Sequence, residues 1–153
     1  MFVLFPDENA IHCGLDTARI LDFYLCFPSL ICEFRSPKDI VKLHNVLKRK
    51  YTPNSYQETP RPAVMFRRMS AAQSAASSSL HSYGFFDHDA FTNGRVARTP
   101  LAIPERLSVA VREHRRDNSE LVAYLDDLKS RSLLGPDGLR ARSKLEEFRY
   151  DDV

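Results

Sequence analysis

The sequence predicts a mainly α domain with a short β-hairpin, and three observations lead to this fold class. Capped or proline-first helix starts recur along the 153 residues. Apolar residues repeat at helical spacing between these starts. An Asn93-Gly94 pair, typical of a two-residue hairpin turn, follows the central helices. The length suits one domain, residues 1–153, and a hydrophobic content of 43% is typical of a globular chain.

Two helices are predicted before residue 60. The first begins near Asp16 and Thr17 and stops before Pro28. It is apolar on nearly every side after Asp22, so we expect it to be buried in the core or under another chain. The second starts at Ser36-Pro37 and runs to about residue 50, where its basic end suits the helix dipole and a solvated face.

Residues 62–99 carry the most informative pattern. Pro62 opens one helix, and Ser70-x-x-Gln73 fits a capping box that starts a second helix after a tight turn. The inward positions of this second helix are expected at Ala72, Ala76, Leu80 and Tyr83. Helix, turn, helix and hairpin is the order of a winged helix, so these residues predict a winged-helix-like unit. The alternative is one long helix from Pro62 to Tyr83 in an all-α bundle.

Two further helices and a tail are predicted after the hairpin. Pro104-Glu105 opens a helix, and Asn118 or Ser119 caps the next. The first of these helices has an apolar side made of Leu107, Ala110, Val111 and His114. Residues 139–153 hold too few apolar residues to fold alone, so they are expected to form a C-terminal docking tail on this domain or on a partner.

Charge is distributed unevenly along the chain. Residues 61–116 hold nine Arg against four Asp or Glu, although the net charge of the chain is only +2. This local excess coincides with the winged-helix pattern.

No apolar run is long enough to cross a membrane. Three cysteines without paired spacing favour reduced thiols and a cytoplasmic location.

The motifs of common enzymes are absent from the sequence. It has no glycine-rich phosphate loop and no Gly-x-Ser-x-Gly elbow. Asp87-His88-Asp89, with His81 nearby, is interpreted as a solvated turn rather than a metal site, because no second cluster completes a ligand set. The chain is therefore predicted to be a non-enzyme with no cofactor and no catalytic or metal-binding residue.

Three segments together resemble a known family: residues 19–28, residues 84–87 with 93–96, and residues 138–151. They are similar to the small middle component of bacterial ABC-three-component systems, the group that includes the small subunit of Lamassu-type anti-phage and anti-plasmid defence. The resemblance implies an SMC-like ABC ATPase with long coiled coils as one partner and an effector, often a nuclease, as another. It also implies that the chain is an adaptor between them in a complex that senses foreign double-stranded DNA.

Two hypotheses of function follow. In the first, the chain is an interaction subunit whose contacts lie on the first helix and on the tail, because aromatic residues and Arg dominate interfaces. These contact residues are Arg19, Phe23, Tyr24, Phe27, Leu145, Phe148, Arg149 and Tyr150. In the second, it is a stand-alone winged-helix DNA-binding regulator. Its phosphate contacts would then be Arg67, Arg68, Arg95 and Arg98.

Overall fold

The structure is a computed structural model, and it describes residues 1–52 and 60–145. Within these ranges the elements are β1 (Cys13–Gly14), α1 (Leu15–Cys26), α2 (Val41–Lys50), α3 (Pro62–Ser82), α4 (His88–Thr92), β2 (Arg95–Val96), α5 (Glu105–Asp117), α6 (Ser119–Lys129) and α7 (Leu139–Ser143). Two 3-10 helices, Pro28–Glu33 and Lys38–Ile40, connect α1 to α2. The predicted fold class, mainly α with a short antiparallel β pair, is confirmed.

Helix α1 lies at the centre of the core. It packs against α3, α6, α7 and the 3-10 helix Pro28–Glu33. The Phe23 ring meets Phe66 of α3 edge to face at 5.6 Å, and the Tyr24 ring meets Phe34 in the same way at 5.5 Å. From α6, Leu121, Leu125 and Leu128 are fully buried against this centre. A helix that is apolar almost all round needs such cover on several sides.

Residues 62–82 form one continuous helix, so the predicted turn and second helix at Ser70 are wrong. The long-helix alternative is the one that the structure forms here. The two capping-box side chains are used in tertiary contacts instead. Ser70 Oγ accepts a hydrogen bond from Arg19 of α1 at 3.0 Å, and the Gln73 amide donates to the Arg19 carbonyl oxygen at 3.0 Å. A winged helix needs two helices here, and residues 62–82 supply only one.

The side of α3 that faces the core also differs from the prediction. Phe66, Gln73 and Ser77 are buried, and Leu80 packs against the core from a half-buried position. The predicted inward residues Ala72, Ala76 and Tyr83 are exposed. Because the prediction started a new helix at Ser70, it placed the inward stripe on the wrong side of this helix.

The Asn93-Gly94 pair ends a helix rather than closing a two-residue hairpin. Asn93 caps α4 with a φ of −89°, and only Gly94 has a positive φ, 69°. The Gly94 amide donates to the Phe91 carbonyl oxygen at 2.9 Å, which is typical of a helix C-terminus. Strand β2 therefore pairs with β1, with Cys13 opposite Val96 in an antiparallel register.

Both ends of the described chain pack on this core. Leu4 and Phe5 are fully buried, and the Lys129 ammonium donates to the Leu4 carbonyl oxygen. At the other end Leu139 is fully buried, and Leu145 is nearly so. The first seven residues of the predicted docking tail, 139–145, therefore dock on their own domain.

Candidate protein interaction surface

The aromatic residues that were predicted to contact a partner from α1 belong to the core. Phe23 is 0% exposed and Tyr24 is 1% exposed. The Tyr24 hydroxyl donates to the Ser143 carbonyl oxygen at 3.4 Å, and burial raises its pKa far above the ordinary value. Phe27 is half-buried, with its ring 5.3 Å from that of Phe23. The prediction that Phe23 and Tyr24 form a partner surface is therefore corrected by their burial.

Arg19 connects α1 to α3 rather than pointing to solvent. Its guanidinium hydrogen-bonds to Ser70 and Gln73, and it lies over the Phe66 ring at 5.4 Å from the centroid. The same group forms an ion pair with Asp16 at 3.5 Å. Each of these partners lies within the domain, so Arg19 positions two helices.

The tail residues divide into two groups. Leu145 is 3% exposed and is covered by its own domain. Phe148, Arg149 and Tyr150 lie outside the described residues. The prediction that these three residues contact a partner stays a prediction.

The four arginines predicted to contact phosphates are not alike. Arg67, Arg68 and Arg95 are exposed. Arg98 is 6% exposed, and its guanidinium donates to the carbonyl oxygens of Phe85 at 2.8 Å and Leu101 at 3.1 Å. Burial lowers the pKa of this guanidinium. Arg98 is thus occupied inside the fold, and its assignment as a phosphate contact is corrected.

An exposed apolar face lies on α5, on the side where the sequence placed Leu107, Ala110, Val111 and His114. None of the 13 residues of α5 is buried, whereas α1, α2, α3 and α6 each bury at least two side chains. Leu107 is 46% exposed, and Ala110 and His114 on the same stripe are also exposed. We call these three residues and the half-buried Val111 the α5 face.

Helix α5 forms chiefly through local determinants. Pro104 precedes it, Glu105 lies in its first turn, and His114, Arg115 and Arg116 lie in its last turn. These placements suit the helix dipole and the unpaired groups at each end. Helices of this length are marginal in water without packing. Helix α5 therefore has little burial in its own domain to stabilise it.

Arg115 fixes α5 to the body on its other side. Its guanidinium donates to the Val3 carbonyl oxygen and pairs with Asp126 of α6 at 3.2 Å. Ser108, Val111 and Arg115 are the half-buried residues of the helix. This attachment sets the rotation of α5, so Leu107, Ala110 and His114 are left exposed while Val111 lies at the edge of the contact with the body.

The Asp87-His88-Asp89 segment starts helix α4. The Asp87 carboxylate accepts a hydrogen bond from the Ala90 amide at 2.8 Å, which makes it the N-cap. His88 Nδ1 lies 3.0 Å from His81 Nε2. Within residues 1–52 and 60–145, no group of three or more His, Cys, Asp or Glu side chains could hold a metal ion. None of the helices described there has the length and apolar character that spanning a membrane requires.

The fold and the α5 face define a small helical domain with an exposed apolar face. The model of the family "ABC-three component (ABC-3C) system Middle Component 5" matches residues 2–151. The chain therefore belongs to this family of ABC-3C middle components, and it is a component of a multi-part ABC-ATPase system. Comparisons with curated proteins and with solved structures found no significant match.

Proposed function

We propose that this chain is a non-enzymatic adaptor that joins an SMC-like ABC ATPase to an effector nuclease. The complex would be a bacterial defence system of the Lamassu kind, acting in the cytoplasm against phage or plasmid DNA. Family membership supports a role beside other components of an ABC-ATPase system. The ATPase would sense the foreign DNA, and this chain would hold the effector until that signal arrives.

The observation that carries the proposal is the α5 face. A middle component must present surface to at least one larger neighbour, and stable interfaces have apolar centres. Leu107 and its neighbours supply such a centre on a helix that buries nothing in its own domain. We therefore assign the ATPase contact to α5 and not to α1.

Co-purification with the ATPase of the same system tests this assignment. Leu107→Asp places a charge in the contact and should weaken the complex by about 2 kcal/mol or more, which is about 30-fold in affinity. Leu134→Asp is the matched control, because Leu134 is more exposed, at 62%, and lies outside α5. Loss of the ATPase with Leu134→Asp but not with Leu107→Asp would refute the assignment.

Truncation separates the contribution of the tail from that of the fold. Removing residues after Gly138 would delete buried Leu139 and Leu145 and so would damage the core. Ending the chain after Leu145 keeps these residues and removes Phe148, Arg149 and Tyr150. If the tail binds the effector, this shorter chain should retain the ATPase and lose the effector. Retention of both partners would show that the tail residues are dispensable.

A further inference from the structure

Helix α2 has a basic outer face whose rotation is fixed by buried residues on the other side. His44 and Leu47 point into the core, and His44 Nε2 lies 2.8 Å from the Ile31 carbonyl oxygen. Lys42, Asn45 and Arg49, at spacings of three and four, are therefore directed to solvent, and all three are exposed. Lys38 on the preceding 3-10 helix and Lys48 are also exposed.

The cations of this face have no carboxylate partner among the described residues. Lys38, Lys42, Lys48 and Arg49 form no ion pair within residues 1–52 and 60–145. The neighbouring carboxylates are already engaged: Asp39 by Arg131, and Glu120 by Lys50 at 2.8 Å. No carboxylate among the described residues therefore neutralises the positive charge on the outer face of α2.

The cations of helix α5, which we assign to a protein contact, differ from those of α2 in their pairing with carboxylates. Three of its four arginines, Arg112, Arg115 and Arg116, are each paired with a carboxylate, at 3.4, 3.2 and 3.0 Å, and the exposed Arg106 forms no ion pair with the described residues. Protein interfaces are depleted of Lys, whereas contacts to nucleic-acid phosphates use Lys and Arg together with Asn and other polar side chains. The α2 face carries three lysines, one arginine and one asparagine beside the exposed Val46, and this excess of cations matches the second kind of contact.

We propose that the outer face of α2 binds the phosphate backbone of double-stranded DNA. Lys42 and Arg49 are seven residues apart, which is about 10 Å along the helix. That length spans about three nucleotides of one strand, so both cations can reach phosphates at once. Because no base-reading geometry is involved, the contact is independent of sequence. This role does not depend on the α5 contact with the ATPase.

The test measures binding of the lone full-length chain to a labelled random-sequence duplex between about 50 and 200 mM salt. The variant Lys42→Gln/Arg49→Gln should lose at least about tenfold in affinity at the lower salt. It should also flatten the plot of log affinity against log salt by about 1.8, since each neutralised phosphate contributes about 0.9. The control Arg61→Gln/Lys144→Gln removes the same charge from two other exposed sites and should change neither quantity.

Four results would overturn the proposal: no binding by the wild type at the lower salt, no effect of the α2 variant, equal loss in both variants, or loss of the ATPase by the α2 variant in a DNA-free co-purification. Equal loss would mean that affinity follows net charge alone. Loss of the ATPase would identify an acidic protein surface as the occupant of α2. Unchanged thermal unfolding of both variants shows that the fold is intact. Leu107→Asp should bind DNA as the wild type does, which distinguishes failure of this inference from failure of the α5 assignment.

Discussion

Helices α1 and α5 have almost the same length, but α1 is buried in the core and α5 is not. The 12 residues of α1 include fully buried Phe23 and Leu21, and the helix is covered by three other helices. The 13 residues of α5 include no buried side chain. In the sequence α1 is the helix that suggests an interface, because it is aromatic and apolar all round. In the structure α5 is the helix that exposes an apolar face.

The difference shows that apolar character does not locate an interface. A helix with many aromatic residues suggests a partner surface, but a small domain uses such residues for its own core. A face of modest hydrophobicity, such as Leu107 and Ala110, is left exposed. What distinguishes α1 from α5 is how many other helices pack around it, and not how many apolar residues it contains.

The largest expected effect is on stability and distinguishes the two helices directly. Phe23→Ala removes a fully buried ring and should lower the free energy of unfolding by about 3–5 kcal/mol. Leu107→Ala should change it by no more than about 0.5 kcal/mol, because the side chain makes no buried contact. Urea unfolding of the lone chain measures both values. Equal destabilisation by the two substitutions would mean that α5 is part of the core.

A smaller loss is expected from the polar contact that joins α1 to α3. Gln73 is buried and hydrogen-bonds to the Arg19 carbonyl oxygen and to Asp22, at 3.0 and 3.1 Å. Gln73→Ala removes both hydrogen bonds and should cost about 1–3 kcal/mol by urea unfolding. Gln73 is thus expected to matter more than exposed Ser74 on the same helix, and Ser74→Ala serves as the control. A neutral Gln73→Ala would contradict this packing of α1 on α3.

The attachment of α5 to the body should be weaker still. Arg115→Gln removes the contacts with Val3 and Asp126 and should cost about 1 kcal/mol or less, since both groups are half-exposed. Amide exchange in α5 should become faster while exchange in α1 does not change. Arg116→Gln, which disturbs only a pair with adjacent Asp117, should leave exchange in α5 unaltered. Unchanged exchange in both variants would show that Arg115 does not hold the helix.

The smallest expected effect is on stability in acid. Two ion pairs contribute to it, one that joins α2 to the body and one that joins the preceding 3-10 helix to the body. Hydrogen bonds from Arg131 and Lys50 hold the pKa values of Asp39 and Glu120 below their ordinary 3.8 and 4.5. A lowered pKa in the folded state means that the stabilisation is present above these ordinary values and is lost as the pH falls through the folded ones. The unfolding temperature should therefore decline below about pH 4.5. Asp39→Asn/Glu120→Gln should make that decline shallower, and an unchanged acid profile would contradict these pairings.

Local sequence signals predicted the helices well where one signal was decisive. Pro28 follows the end of α1, Pro104 precedes α5, and Asn118 precedes α6, as their backbone preferences require. Each of these positions acts on its own neighbours in the chain. Boundaries set in this way do not depend on tertiary contacts, so the sequence alone is enough to find them.

The errors arose where one motif fits two structures. Ser70-x-x-Gln73 fits a capping box, but Arg19, 51 residues away in the chain from Ser70, binds the same side chains in mid-helix. Asn93-Gly94 fits a hairpin turn and equally a helix end, and only Gly94 needed a positive φ. Burial of Arg98 depends on the carbonyl oxygens of Phe85 and Leu101, which no local pattern reveals. A partner distant in the sequence decided the first case, and contacts with residues outside the motif decided the other two.

The claim that α5 is the face covered by a partner is tested most directly by hydrogen exchange, measured on the lone chain and on its complex with the ATPase. In the lone chain, amides of Glu105–Asp117 should exchange far faster than those of Leu15–Cys26. In the complex, exchange in α5 should slow markedly while α1 stays as protected as before. Equal protection of the two helices in the lone chain, or no slowing of α5 in the complex, would contradict the account.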